Sequence, residues 1–475
     1  MNINEIPIAE VSWAQLKNKD DIGKVFYYHD EVYRAIYPDK EDLVKDMFRC
    51  GLIEELVEAN LFPNSKFTEY SVGNFQLVIK HDTIHPIVYP QEWTFSMLQN
   101  AALVVLKVAI IARKFGYNMK DCHSLNILFD GINPKYVDLG TFYPDISETT
   151  GWKPYLEFLR CYYYPLFIWS KGNDYIGKML IFSGNLMATY DFYTYKYRLL
   201  KKLPATLVNK LIKLRHATYQ VTVSDRMRST LSNKKLPIVS FIINAIIKRS
   251  DSLNRKNLDL KRFTDLVSNI DRHSNTTIWS DYHKNLTLKR ERFKAIIQQI
   301  NKYCPNVKEC IDIAGNKGLF SELLISQTNI SKVICQDLDQ NAIDMGFLEK
   351  CAINDRKSQL VYVHYNAFSP LIKLGQPLPS QRFQSDLVVC LALLHHLLLT
   401  QGYSLEFVLD ELAKYTNKYI AVEFMPKGLW LRGSDVNIPS WYNVEWFEAS
   451  FVERFVLLKK EQIDENYILY VGYLK

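Results

Sequence analysis

Only eight cysteines occur in 475 residues, at 50, 122, 161, 304, 310, 335, 351 and 390, and none forms a C-x-x-C pair. That sparse spacing excludes a disulfide scaffold or zinc ribbon and reads as reduced, cytosolic thiols. Long hydrophobic runs are missing as well. The longest, 101–112 (interrupted by Lys107) and 236–247, fall short of the ~18–20 residues that span a bilayer, so both are expected to be buried helices. The opening residues MNINEIPIAEVSWAQLKNKDD are too acidic and too broken for a signal peptide. Low-complexity tracts and internal repeats are not visible. A soluble cytoplasmic protein is expected, one that can lie peripherally on the inner face of a membrane.

What is present is the composition of a folded chain, 48% hydrophobic, 13% aromatic and 23% charged. At 55.5 kDa it is two to three times a typical domain, which predicts at least two cores. The formal net charge of +7 is local: residues 196–262 hold 17 Lys/Arg against Asp225, Asp251 and Asp259, a net +14, so the remainder sums to −7. Leu207, Leu211, Leu214 and Tyr219 share helical spacing there with Lys210, Lys213 and Arg215 between them. Such a basic amphipathic stretch is a surface for an anionic partner, a membrane or a glycan. No nucleic-acid-binding motif accompanies the charge, so nucleic acid gains little from it.

Along the chain, two β-rich runs in 24–36 flank His29-Asp30-Glu31 and predict a hairpin. Helical spacing runs through 41–58 despite Gly51. Residues 75–80 and 84–89 flank a further turn, and 95–115 forms a long buried helix. Short strands at 127–129 and 135–137 follow, then an aromatic-rich helical region over 152–220, with 229–235 its most loop-like sequel. From about Asp271 strands alternate with helices: 310–314, 332–337, 360–365, 386–393, 419–424 and 467–474 are strand candidates, which argues a parallel α/β sheet.

The first of these strands ends in Asp312-Ile313-Ala314-Gly315-Asn316-Lys317-Gly318, a turn of small residues opening a helix, suited to close backbone approach by a ligand. The second closes at Asp337, where a doubly wound sheet places an acid for ribose hydroxyls. Asn366 follows the third strand, His395 and His396 the fourth, and Glu423 ends the fifth. In this order the series resembles a class I S-adenosylmethionine (SAM) methyltransferase, most of all the bacterial type related to rhizobial nodulation host-specificity methyltransferases. The words 277–282 (TIWSDY) and 423–427 (EFMPK) match that group too. Ala314 and Asn316 depart from its usual glycine pattern, although both are small and Asn tolerates positive φ. The resemblance implies a Rossmann-like, mainly parallel α/β domain over 271–475. Asp312 and Gly315 would bound the methionine end of SAM, Ala314, Asn316 and Gly318 would also line the cofactor, and Asp337 would lie on the ribose with Asn366 near the adenine amine. His395 or His396 would face the acceptor.

In the N-terminal half, Asp121-Cys122-His123-Ser124-Leu125-Asn126 precedes a strand, a turn and Asp138-Leu139-Gly140. Phosphoryl transfer needs an acid to orient the acceptor hydroxyl, and an amide with a second acid to hold Mg²⁺. The string resembles the core of the protein-kinase-like fold, especially its aminoglycoside- and choline-phosphorylating branch. That resemblance implies an α+β domain over 1–235 (small lobe about 20–90, helical lobe 91–235) followed by a basic connection at 236–270. Asp121 would be the acid/base, Asn126 and Asp138 the metal ligands, and Arg34 would stand for the phosphate-gripping Lys. Glu54 or Glu55 would lie on the following helix and 89–92 would form the hinge, with ATP and Mg²⁺ as cofactors. No Gly-rich phosphate loop is present, and Arg for Lys is not a conservative exchange.

Three functions compete at this stage. One is a methyltransferase coupled to a kinase-like domain, modifying a surface glycan or lipid-linked saccharide. The second pairs the methyltransferase with a catalytically dead pseudokinase scaffold. The third is an RNA methyltransferase that grips its substrate with the basic segment.

Overall fold

The computed structural model describes residues 4–14, 20–145, 152–184, 187–197, 201–217, 260–272, 286–353, 359–428 and 438–475. Residues 229–235, most of the basic segment and the word at 277–282 lie outside them. The chain divides into two compact units. The first comprises Met1–His85, Leu98–Leu128 and Pro134–His273, and the second comprises Pro86–Met97, Phe129–Asn133 and Ser274–Lys475. Residues 86–97 and 129–133, read from sequence as hinge and kinase-like lobe, therefore group with the C-terminal fold.

The first unit begins with a five-stranded antiparallel sheet: β1 (Ser12–Trp13), β2 (Gly23–Tyr28), β3 (Glu31–Ile36), β4 (Ser65–Phe67) and β5 (Val78–His81), in spatial order β1-β2-β3-β5-β4. The β2–β3 hairpin turns at His29 and Asp30, both at positive φ (50° and 61°), the backbone a tight two-residue hairpin requires. One face packs Phe26, Tyr33, Ala35 and Val78 into a buried core, with the Phe26 and Tyr33 rings stacked 5.3 Å apart. After β3 the expected single helix is two, α1 (Glu41–Arg49) and α2 (Leu52–Glu58), because Gly51 takes φ +88° between them. Residues 84–89 form no strand.

Helix α3 (Phe95–Lys114) carries buried Leu98, Ala101, Val105, Leu106 and Ala112. Among the described residues it alone is long and apolar enough to cross a membrane, and 67% of its most apolar window is buried inside the protein. Strand β6 (Tyr117–Met119) pairs antiparallel with β9 (Phe142–Pro144). Between them lies the ribbon of β7 (Ile127–Asp130) and β8 (Asn133–Tyr136). Aromatic helices then fill the unit, with Tyr162, Tyr164 and Trp169 fully buried and Tyr164 stacked 3.9 Å from Phe192.

The second unit is a seven-stranded sheet. Its strands are β10 (Glu309–Ile313), β11 (Lys332–Asp337), β12 (Leu360–His364), β13 (Ser385–Cys390), β14 (Thr416–Phe424), β15 (Phe455–Asp464) and β16 (Tyr467–Leu474). Their order is β12-β11-β10-β13-β14-β16-β15, with the first five parallel and the last two antiparallel. Buried runs such as Val333-Ile334-Cys335 and Leu387-Val388-Val389-Cys390 are what strands covered on both faces require. Order reverses between β10 and β13, so the crevice beyond the carboxyl ends of β10, β11 and β13 is the topological switch point.

Candidate functional sites

At that switch point the backbone leaves β10 through a strained turn. Ala314, Asn316 and Gly318 hold φ of 61°, 54° and 86°, and Ala392, beyond β13, holds 51°. Among the described residues the other positive-φ positions outside glycine are His29, Asp30, Asn60 and Asn306, types that visit this region readily. The two alanines therefore mark stored strain, and both lie on the ligand edge of the sheet. A Cβ at Gly315 would stand 2.8 Å from Cys335 Sγ and 2.9 Å from Asp312 Oδ2, so glycine is required there by close packing.

Asp337 is pinned across this turn. Its Oδ2 accepts the Asn316 N–H at 2.8 Å and its Oδ1 accepts the Asp339 N–H at 2.7 Å. Burial pushes its carboxyl up to about 6, against the pull of those backbone donors. Asp312 is 2% exposed and accepts the Ser321 hydroxyl at 2.7 Å. Burial, with Asp337 nearby, raises it to about 7. Asn366 is turned onto its own loop, its Oδ1 accepting the Phe368 N–H at 3.0 Å.

The rings of His395 and His396 lie tilted with centroids 4.0 Å apart and open a π-helical turn, His396–Thr400. His395 is 4% exposed, and its buried Nδ1 has no hydrogen-bond partner. Burial, His396 and Arg292 drive it down to about 3, so the ring is neutral at physiological pH. Burial also lowers His396. Glu423, fully buried at the end of β14, takes both Nε and NH2 of Arg292 in a bidentate pair. Arg292 was not singled out from sequence, since it sits among other charged residues of helix α4 (Leu286–Tyr303) with no motif around it.

A second cluster lies in the first unit. Asn126 Nδ2 donates to Asp121 Oδ1 at 2.9 Å and to the Tyr136 hydroxyl at 3.2 Å. Thr141 Oγ1 donates to the Asp121 carbonyl at 3.1 Å. Asp138 Oδ1 accepts the Gly140 N–H at 2.9 Å and stands 3.9 Å from Arg34 NH1. Burial raises Asp138 to about 6, with Arg34 opposing and Asp121 and Asp20 adding to the rise. Asp121, Asn126, Asp138 and Arg34 thus occupy one neighbourhood.

The helix carboxylates do not join them. Glu55 pairs with Lys114 at 2.7 Å, and the partner of Arg34 is Asp20, 2.5 Å away. Glu157 was also missed: it accepts the Cys122 N–H at 2.6 Å and lies 3.1 Å from His123 Nε2, bracing the loop that carries Asp121. It stands in an aromatic-rich helix with no motif to mark it. Among the described residues no group of three or more His, Cys, Asp or Glu has the geometry of a metal centre.

The strand order and switch-point turn define the second unit as a Rossmann-like α/β fold, in the arrangement the methyltransferase resemblance implies. No family model matches the chain. The chain is 22% identical over 481 residues to nodulation protein NoeA of Rhizobium meliloti (strain 1021), spanning 94% of this chain and 92% of that protein. Similar solved structures include PH0226 protein from Pyrococcus horikoshii OT3 (16% identity, 42% of this chain and 97% of that one, TM-score 0.33). A second is the SAM-bound magnesium protoporphyrin IX methyltransferase ChlM of Synechocystis PCC 6803 (12%, 42% and 86%, 0.30). A third is a SAM dependent methyltransferase from Aquifex aeolicus (14%, 41% and 98%, 0.31).

Proposed function

We propose that the protein is a SAM-dependent methyltransferase whose second unit carries the reaction. One observation carries this reading: a strained small-residue turn at 314–318 is tied through Asn316 N–H to a strand-end carboxylate, Asp337, at the switch point of a doubly wound sheet. The residues fit the cofactor. Asp337 offers carboxylate acceptors for a diol, and the buried acid Asp312 suits a cationic neighbour. SAM supplies a methyl group on a sulfonium, transferred in line to the acceptor.

The chain's own part is to position that acceptor and handle its proton. A neutral His395, whose buried Nδ1 has no partner, would accept a hydrogen bond from a hydroxyl that reaches it, while its lowered basicity makes it an orienting group rather than a strong base. A phosphate oxygen as acceptor would need no base. Calorimetry with SAM and its demethylated product S-adenosylhomocysteine tests the site. Binding by the wild type and its loss in Asp337→Ala is the expected result, and undiminished binding by Asp337→Ala would overturn the assignment.

A second reading concerns the first unit, and the neighbourhood of Asp121, Asn126, Asp138 and Arg34 favours it. We read this unit as protein-kinase-like: a 1-2-3-5-4 antiparallel sheet with Arg34 on its third strand, the strand that bears the phosphate-gripping lysine in kinases. The donor set suits a divalent cation, since Asp138 is a partly buried carboxylate whose protonation is promoted by Asp121 and Asp20 and would be reversed by a cation. Asn126 and Asp138 would hold Mg²⁺ and Asp121 would orient an acceptor hydroxyl.

With both units active, the economical chemistry is phosphorylation of a sugar hydroxyl and methylation of that sugar or its phosphate. The acceptor would be a surface glycan or lipid-linked saccharide, with the basic segment against an anionic surface. Mass spectrometry of products from glycan mixtures given SAM, with and without ATP, separates the cases. Phosphate plus methyl, only with ATP, supports coupling; methyl alone points to a pseudokinase scaffold.

A further inference from the structure

The closest partner of Arg34 is a carboxylate from the loop before β2. Arg34 is 5% exposed, and its NH1 donates to Asp20 Oδ2 at 2.5 Å. The other Asp20 oxygen, Oδ1, accepts the Ile22 N–H at 3.0 Å and would lie 3.0 Å from a Cβ on Gly140. Asp20 therefore sits between Arg34 and the Asp138-Leu139-Gly140 turn, its side chain 8% exposed. Its neighbour Asp21 accepts from Lys120 Nζ at 2.9 Å, and Lys120, next to Asp121, also donates to the Gly140 carbonyl at 3.2 Å. Arg34 Nε is buried with no hydrogen-bond partner, so the guanidinium keeps an unused donor beside this carboxylate.

Two carboxylates, Asp20 and Asp138, thus share one buried guanidinium. Of these Asp20 alone lacks a role in the phosphotransfer scheme, and it occupies the face of Arg34 that a phosphate would need. A planar guanidinium holds a carboxylate or a phosphate through the same donors, so the two compete for it. We propose that Asp20 is a built-in competitor for the oxyanion of a phosphate-bearing ligand at Arg34, which binds only by displacing it. The inference rests on the kinase-like reading of the first unit. It gives the site a low affinity for nucleotide set by its own chain, because apparent affinity falls by the fraction of molecules in which Arg34 is free.

The test is titration of the full-length protein with ATP·Mg²⁺, and separately with adenosine, in wild type, Asp20→Asn, Asp20→Ala and Asp21→Asn. Melting temperatures confirm that each variant is folded. If more than nine-tenths of molecules hold Asp20 on Arg34, removing its charge tightens ATP about tenfold or more. Adenosine, which has no phosphates, gains nothing, and Asp21→Asn behaves as wild type. Weaker ATP binding by both Asp20 variants would make Asp20 the orienting partner of Arg34 and overturn the proposal. Unchanged ATP binding in variants of a wild type that binds would overturn it alone. Absence of ATP binding in every protein would overturn the kinase-like reading with it.

Discussion

Ala314 pays for its position with a left-handed backbone, φ +61°, that L-residues with a Cβ avoid at ~1–2 kcal/mol. Glycine has no such penalty, so Ala314→Gly is expected to stabilise the protein by about 1 kcal/mol, partly offset by the greater entropy of the unfolded chain. Denaturant unfolding measures this; a loss of stability would show that the Ala314 methyl makes packing worth more than the strain. Asp312 and Asp337 make a pH statement. Both have folded-state values raised by burial, to about 7 and about 6, so each holds its proton more tightly when folded. Their contribution to stability is complete at pH below the ordinary carboxylate range and is lost as pH rises through about 6 to 7. Ligand binding has the opposite sign, because a diol needs ionised Asp337. SAM affinity is expected to rise between pH 5 and 8 with a midpoint near 6, read by calorimetry, and a pH-independent affinity would remove Asp337 from the ribose.

Strands and helices whose residues carry their own periodicity were legible before any coordinates. The five parallel strands and β16 fall on the predicted runs, since fully buried strands read as continuous apolar stretches. Strand β15 was not, because a sheet edge is written in charge: Phe455-Val-Leu-Leu-Lys-Lys-Glu-Gln-Ile-Asp is mostly exposed and guarded by Lys459 and Lys460. The candidate sites divide in the same way. Asp121, Asn126 and Asp138 lie within one short string, whereas Asp20, Glu157 and Arg292 reach their partners over separations of 14, 35 and 131 residues, beyond any spacing rule.

The segment 86–97, read in sequence as strand, hinge and helix start, is held by a buried ion pair. Arg382 donates to Glu92 through NH1 at 3.0 Å and through NH2, and NH1 also donates to the Ile87 carbonyl at 2.6 Å. Its guanidinium lies 4.5 Å from the centroids of both Tyr89 and Phe383. The side chains are 7% and 2% exposed, and removing one partner of such a pair leaves the other charge buried, at a cost of ~3–5 kcal/mol. Arg382→Met and Glu92→Leu are each expected to fall in that range by urea unfolding, and the double variant to recover much of it. Additive losses would mean that the two side chains act independently.

At the scale of the molecule, the linear division into an N-terminal and a C-terminal half does not describe how the chain is packed. Ser274–Lys475 shares its unit with Pro86–Met97 and Phe129–Asn133. Within that unit, Asp344 is 3% exposed and accepts the Ser96 N–H and hydroxyl, both at 2.9 Å. Phe347 packs edge-on against Phe129 at 6.0 Å, and Phe129 against Trp93 at 5.3 Å. A fragment cut at 274 would expose Phe347 and leave Arg382 and Asp344 with their partners gone. The lost ion pair, hydrogen bonds and apolar burial are a large share of the ~5–15 kcal/mol that holds a domain together. The 274–475 fragment, although it carries every residue assigned to SAM, is therefore expected to be insoluble or to unfold well below the full chain. A fragment beginning at 86, which restores Glu92, Ser96 and Phe129, is expected to recover the cooperative transition of this unit. Circular dichroism melts of the two fragments decide it, and a 274–475 fragment as stable as the longer one would show that the sheet and its helices are self-sufficient.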